Sequence, residues 1–132
     1  MTKFDVITKD LDQAIRRLNE ILRKPKNDTN RDSAIMRFIL VFDLSWKTIK
    51  ACLEVIGKEC SSPRGCLEEA YQEKIIEYDN FWVDLIDWRK NAVHTYNGKL
   101  ADMLYDNLPK ALMKFIELQK VLKKLNKYGA EK

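Results

Sequence analysis

Arg89 and His94 are the residues of this chain whose types and spacing best suit chemistry on a phosphate. A guanidinium binds phosphate oxygens through a fork of N–H donors, and an imidazole titrates near neutral pH without help from its surroundings. Together they could stabilise the charge of a phosphorane and accept a proton from a ribose 2′-hydroxyl, with no metal. A pocket that only holds a nucleotide phosphate needs the same arginine and no base. His94 is the single histidine of the chain, and a helix-end histidine interacting with the dipole is the ordinary case. Tyr96 follows two residues later.

The surroundings of Arg89 sharpen the question. At about 100° per residue, Phe81, Trp82, Leu85, Ile86, Trp88, Ala92 and Val93 share one broad arc. This predicts a helix from Phe81 to about Tyr96, capped by Asp79 or Asn80 and ended by Asn97-Gly98. Arg89 falls near the middle of that arc, with Tyr96 on almost the same line. The residues three and four away from Arg89 are Leu85, Ile86, Ala92 and Val93, so no acid of its own helix pairs with it. An arginine within an apolar arc needs neutralising. Its partner is an acid on another helix, an acid on another subunit, or an anionic ligand, and Asp43 and Glu54 are candidates. Residue pattern alone favours an ion pair or snorkelling over a ligand. His94 points roughly 140° away from Arg89 on a regular helix. Joint action on one phosphate therefore needs a break in the helix before His94, or two subunits meeting at a twofold axis.

The elements that must position these residues read as helices throughout. Phe4, Ile7, Leu11, Ile15, Leu18 and Leu22 form one stripe, which predicts a first helix over about Phe4 to Leu22. The turn-rich Lys24 to Asn30 ends it and can cap the next. The second helix, about Asn30 to Ile56, has a main stripe of Ile35, Phe38, Phe42, Trp46, Ile49, Leu53 and Ile56. A further patch of Leu40, Leu44, Ala51 and Val55 lies on another side. A helix apolar on two sides is central, or faces both the core and another subunit. Gly57 stops it. Ser62-Pro63 starts a shorter third helix, to about Glu77. The last helix, about Lys99 to Asn126, carries a stripe from Leu104 to Leu125, with Pro109 opposite its middle and a kink expected there.

Composition bounds the rest. The 132 residues make one domain, 1–132, and 45% of them are hydrophobic, enough for a bundle-sized core. No long uncharged apolar run or signal-peptide pattern is present, so a cytoplasmic protein with no membrane contact is expected. The net charge of +4 is mild. Lys110, Lys114, Lys120, Lys123, Lys124, Lys127 and Lys132 read as a solvated face rather than a nucleic-acid stripe. Three cysteines, an odd number, argue against a disulfide framework. Cys52 falls on an apolar stripe. Cys60 and Cys66 flank a loop with no histidine or third cysteine to complete a zinc site, so no metal and no cofactor are expected. Trp46, Trp82 and Trp88 could stack a base, although their helical spacing favours core packing. With no phosphate-binding glycine loop and no acidic metal cluster, the chain is not itself a nucleotidyltransferase.

Arg89-Lys90-Asn91-Ala92-Val93-His94-Thr95-Tyr96 resembles the motif of HEPN-domain proteins: arginine, four residues, histidine, any residue, tyrosine. The lead-in Phe81 to Trp88, the Phe42-Asp43-Leu44-Ser45-Trp46-Lys47 helix and the Ser62-Pro63-Arg64 helix start are similar to the branch of nucleotidyltransferase substrate-binding, or HepT-like, proteins. The likeness covers nearly the whole chain. It implies an all-α, antiparallel up-down bundle of about five helices with a four-helix-bundle-like core, dimeric, working beside a minimal nucleotidyltransferase. One implied role is a non-catalytic substrate-binding subunit in a toxin–antitoxin-like pair, with Arg89, Asn91, His94 and Tyr96 holding a nucleotide or phosphate. The other is a metal-independent ribonuclease toxin acting on RNA through Arg89 and His94, silenced when the partner adds AMP to Tyr96. Lys90 stands where the family often has a polar uncharged or acidic residue, which tilts the expectation towards the binding role.

Overall fold

Each α-helix begins on a side chain that accepts from its orphan N–H groups. In this computed structural model, which describes residues 1–130 and their side chains as far as residue 126, α1 spans Lys3–Leu22. Thr2 and Asp5 form a reciprocal capping box at its start, with N–H to oxygen distances of 3.0 and 2.9 Å. The next helix, α2, runs Asp28–Val55 from an Asn27 cap whose side chain accepts the Asn30 N–H at 2.8 Å. Gly57, at φ +79°, ends it. The Lys58 N–H reaches back to the Leu53 carbonyl (2.9 Å) and the Gly57 N–H to that of Glu54 (3.1 Å), closing a Schellman turn. Ser62 caps α3, Pro63–Gln72, with Pro63 at the first helical position as its chemistry predicts.

The third helix stops five residues before the expected Glu77. Lys74 adopts the left-handed conformation (φ +61°), and the Ile75 N–H returns to the Ala70 carbonyl at 2.9 Å. This is the same turn that Gly57 makes, built on a lysine. Its conformational cost is roughly 1–2 kcal/mol, and it tucks Ile75 into the core. A second correction concerns cysteine. Cys60 and Cys66 form a disulfide, with Cα atoms 5.0 Å apart. The odd count and the self-sufficient core are arguments about frameworks, and they are blind to a local pair. Here the turn through Ser62 folds Cys66 back over Cys60, within the Cα separation a bridge requires. Cys52 is the free cysteine among the described residues, and burial pushes its thiol up to about 11.

Contacts between helices fix the directions. Lys3 pairs with Glu54 and Arg37 donates to the Arg17 carbonyl, so α1 and α2 are antiparallel. Gln119 and Lys123, on α5 (Gly98–Ala130), reach Asp12 on α1 at 2.7 and 3.1 Å, whereas Arg31 on α2 reaches Asp102 at 3.2 Å. The fourth helix, α4 (Asn80–Asn91), starts at Asp79 beside Lys114 and ends near the beginning of α5. The result is an up-down-up-down bundle of α1, α2, α4 and α5, with α3 lying in the α2–α4 connection. All-α architecture is as expected.

The helix α2 packs against each of the other four α-helices, which makes it the central one. Its Phe38 stands 6.5 Å from Phe42 and 6.0 Å from Phe115 between ring centroids, and Trp82 closes on Phe115 at 6.4 Å. Ile35, Ile49 and Leu53 are sealed in the same core, while Leu40 and Val55 of its second patch stay exposed. Pro109 lies on the exposed side of α5, with Leu108 and Ala111 buried beneath it, so the ring interrupts the ladder away from the core. The α5 stripe is buried as far as Leu122, and Leu125 is exposed. Of the lysines expected to be solvated, Lys114 is half-buried against Asp79, whereas Lys123 stays exposed while reaching Asp12. Lys132 and the side chain of Lys127 lie outside the described residues. No described helix is long and apolar enough to cross a membrane.

Candidate functional site

The motif helix is held at its start by charge and along its length by aromatic packing. Asp79 accepts the Phe81 N–H at 2.9 Å and pairs with Lys114, and these two contacts hold its carboxyl below the usual carboxylate range. Trp82 and Leu85 are buried against α2 and α5, and Phe81 meets Trp88 edge to face at 5.3 Å. One face of α4 is thereby pinned, and the direction of Arg89 with it.

Arg89 turns towards α2. Its Nε–H donates to Asp43 Oδ1 at 3.0 Å and its Nη2–H to Oδ2 at 3.1 Å, a two-point fork on one carboxylate. Of the two acids the sequence offered, Asp43 is the partner, and Glu54 pairs with Lys3 instead. The pair is not sealed: the Arg89 and Asp43 side chains are 33% and 32% exposed. A guanidinium carries five N–H donors, so three remain to meet a ligand once Asp43 has taken two. Asp43 also borders a groove with Met36 and Leu40, two apolar side chains of α2 that face water.

The helix does not run on to Tyr96, contrary to the sequence expectation. It ends at Asn91 and tightens into a 3-10 turn, Ala92–His94, where Ala92 is the buried anchor. The Thr95 hydroxyl and backbone N–H both return to the Ala92 carbonyl, at 2.8 and 3.4 Å. The wheel that placed Val93 in the apolar arc and Tyr96 on the Arg89 line therefore fails beyond Asn91. Val93 is 66% exposed and Tyr96 86% exposed. Asn97, expected to end α4, acts on the other side: its Oδ1 accepts the Lys99 N–H at 3.0 Å and starts α5.

His94 faces α5. With Trp88, Asn91, Leu100, Met103 and Asn107 it lines a cavity of about 390 Å³ between the end of α4 and the first turns of α5. Its ring lies 6.1 Å from that of Tyr96, edge to face. Arg89 does not line this cavity. Of the four residues singled out in the sequence, Asn91 and His94 share one cavity, Tyr96 is exposed beside His94 but outside the lining, and Arg89 looks to α2. Leu100, Met103 and Asn107 escaped the sequence reading. Their signal was there: positions i, i+3 and i+7 of one helix face, beside the buried Leu104 and Leu108 stripe. No group of three or more His, Cys, Asp or Glu side chains that could hold a metal ion occurs among the described residues.

Comparison with known proteins agrees with the all-α fold. A crystal structure of a protein from Thermus thermophilus superposes with a TM-score of 0.74 at 29% sequence identity, covering 87% of this chain and 98% of that one. No curated protein matches the sequence. The model of a family described as nucleotidyltransferase substrate binding protein like matches residues 7–127, from the first turns of α1 to the last of α5 and including the whole motif corner. The chain belongs to the nucleotidyltransferase substrate-binding-protein-like family.

Proposed function

We propose that this protein is the non-catalytic, substrate-binding partner of a minimal nucleotidyltransferase, in a cytoplasmic two-gene module of toxin–antitoxin type. It holds a nucleotide or phosphate group with Arg89, Asn91, His94 and Tyr96. The observation that carries the reading is the state of Arg89. Asp43 orients the guanidinium by a two-point contact, which leaves three N–H donors without a protein partner on a side chain that is one third exposed. A pre-oriented fork loses little entropy on meeting an anion.

The protein works as a homodimer. Within one chain Arg89 and His94 look to different neighbours, and a twofold axis beside α2 and α4 would bring one copy's Arg89 towards the other's His94. Met36 and Leu40, 66% and 46% exposed on the turns of α2 before Asp43, supply apolar surface for such a contact. Sedimentation at tens of micromolar tests this, and a monomer would contradict it.

A ribonuclease role is the second reading, favoured by the exposure of His94 and Tyr96. His94 would take the 2′-hydroxyl proton, Arg89 would stabilise the phosphorane, and AMP transfer to Tyr96 by the partner would silence the site. One set of assays separates the readings. The binding role predicts a stable complex with the nucleotidyltransferase, nucleotide affinity lost in Arg89→Ala, and no RNA cleavage. RNA cleavage by the wild type that His94→Ala reduces about 10²–10⁴-fold would replace it. Mass spectrometry after incubation with the partner and ATP reads the modification, and AMP that persists in Tyr96→Phe would remove Tyr96 from the scheme.

A further inference from the structure

We propose that the cavity between the end of α4 and the start of α5 is a nucleobase subsite, in which Trp88, Leu100 and Met103 wall a flat ring and Asn91 and Asn107 bond its edge. The proposal rests on the nucleotide-binding reading above and names the part of the ligand that the motif residues alone leave unheld.

Three features of the cavity point to a base. Its volume, about 390 Å³, falls within the range of small-molecule sites. Its walls are an indole, a thioether and two leucines; Leu104 is buried, whereas Leu100 and Met103 stand 44% and 59% exposed. Aromatic and polarisable side chains of this kind accept the face of any base. Its polar groups are two carboxamides, an imidazole and the Thr95 hydroxyl, the last already donating to the Ala92 carbonyl, with no carboxylate, lysine or arginine in the lining.

The amides carry the chemical choice. A carboxamide presents donors and an acceptor side by side, the pattern that pairs with the edge of a base. The Asn107 amide donates to the Met103 carbonyl at 2.9 Å, which leaves its oxygen as an acceptor. Asn91 makes no capping bond to the 3-10 turn that follows it, so its side chain is available. A hydrocarbon or an apolar side chain in the same place would strip water from these amides and leave them unpaired, which is unfavourable. His94 stands at the rim between this cavity and exposed Tyr96. A base seated against Trp88 would thus carry its sugar and phosphate outwards past His94. The same base could come from a free nucleotide or from single-stranded RNA.

Calorimetry on the full chain with AMP, ribose 5-phosphate and an octa-adenylate RNA tests the assignment. AMP should bind at least tenfold more tightly than ribose 5-phosphate. Asn107→Leu should weaken AMP roughly tenfold while leaving ribose 5-phosphate unchanged. Leu100→Trp, at an exposed position, should block AMP by filling the cavity, and circular dichroism confirms that both variants fold. Arg89→Ala should weaken AMP and ribose 5-phosphate alike. If AMP binds but neither cavity variant alters it, or if the two ligands bind equally, the subsite is wrong and the phosphate reading stands. If neither they nor the RNA binds, both fall. RNA that binds, is weakened by Asn107→Leu and displaces AMP supports the subsite with RNA as its source. AMP binding sensitive to Asn107→Leu that the RNA does not disturb supports it with a free nucleotide.

Discussion

Phe38, Leu108 and Phe115, in the middle of α2 and α5, show no surface to water, whereas Val93, Tyr96, Leu100 and Met103, at the α4–α5 corner, are between 44% and 86% exposed. Both regions are rich in large apolar side chains. In the trunk these close on each other in helical register. At the corner the α-helix gives way to a 3-10 turn, and the register that would have buried Val93 and Tyr96 is lost. A corner that leaves aromatic and apolar surface uncovered contributes little to folding and keeps that surface for a ligand or a second chain. Under the proposed function, stability and binding therefore fall to different residues. Substitutions should separate them.

The largest effect belongs to the trunk. Phe38→Ala should cost about 3–5 kcal/mol in urea unfolding, because the cavity between Phe42 and Phe115 cannot collapse. Tyr96→Ala should stay within about 0.5 kcal/mol of the wild type. Comparable losses for the two would erase the contrast between the regions.

The disulfide lies on the trunk side of the comparison, with Cys66 buried in the core and Cys60 packed against it. Closing a loop of six residues in sequence separation restricts the unfolded chain by about 2 kcal/mol. Cys60→Ser should be destabilised by that amount in the absence of reductant and should equal the wild type in its presence. A difference that survives reduction would locate the effect in packing instead.

The Arg89–Asp43 pair joins the two regions, and its exposure sets its worth. Sealed pairs lose about 3–5 kcal/mol when one member is removed and surface pairs under about 1 kcal/mol, so Arg89→Ala should cost roughly 1–2 kcal/mol. Asp43→Asn should cost a similar amount. A double-mutant cycle with a coupling near zero would mean that Asp43 does not hold the guanidinium.

Two smaller effects complete the series. Lys74→Gly removes a side chain from a left-handed position and should stabilise the chain by about 1 kcal/mol, whereas Gly57→Ala should do the reverse. Asp79 gives the pH dependence. Lys114, and after it the Phe81 N–H, hold its carboxyl low in the folded chain. Its contribution is therefore complete above the ordinary carboxylate pKa near 4 and fades as pH falls through the lower, folded value. Asp79→Asn should flatten this acid limb of the stability profile. An unchanged limb would assign it to other carboxylates, of which Asp102, held low by Arg31 and then Lys26, is one.

Much of this molecule is written in local chemistry. Thr2, Asn27, Ser62 and Asp79 cap helices because short polar side chains satisfy the N–H groups two or three residues on. Stripes at helical spacing fix which faces of α1, α2 and α5 are buried, and the absence of any acid beside Arg89 in its own helix requires a partner elsewhere. Those properties depend on neighbours within one or two turns, so the amino-acid order suffices. Other features depend on what the folded chain brings near. That Asp43 rather than Glu54 meets Arg89 follows from the height at which α4 crosses α2. Lys74 takes the left-handed position because Ile75 has a core to enter, and nothing in a lysine announces it. Cys66 reaches Cys60 only because the Ser62 turn reverses the chain. That His94 meets Leu100, Met103 and Asn107 follows from how the 3-10 turn at Ala92–His94 sets the end of α4 against the start of α5. In each case the outcome is set by packing between segments distant in sequence, and no periodicity within one helix encodes it.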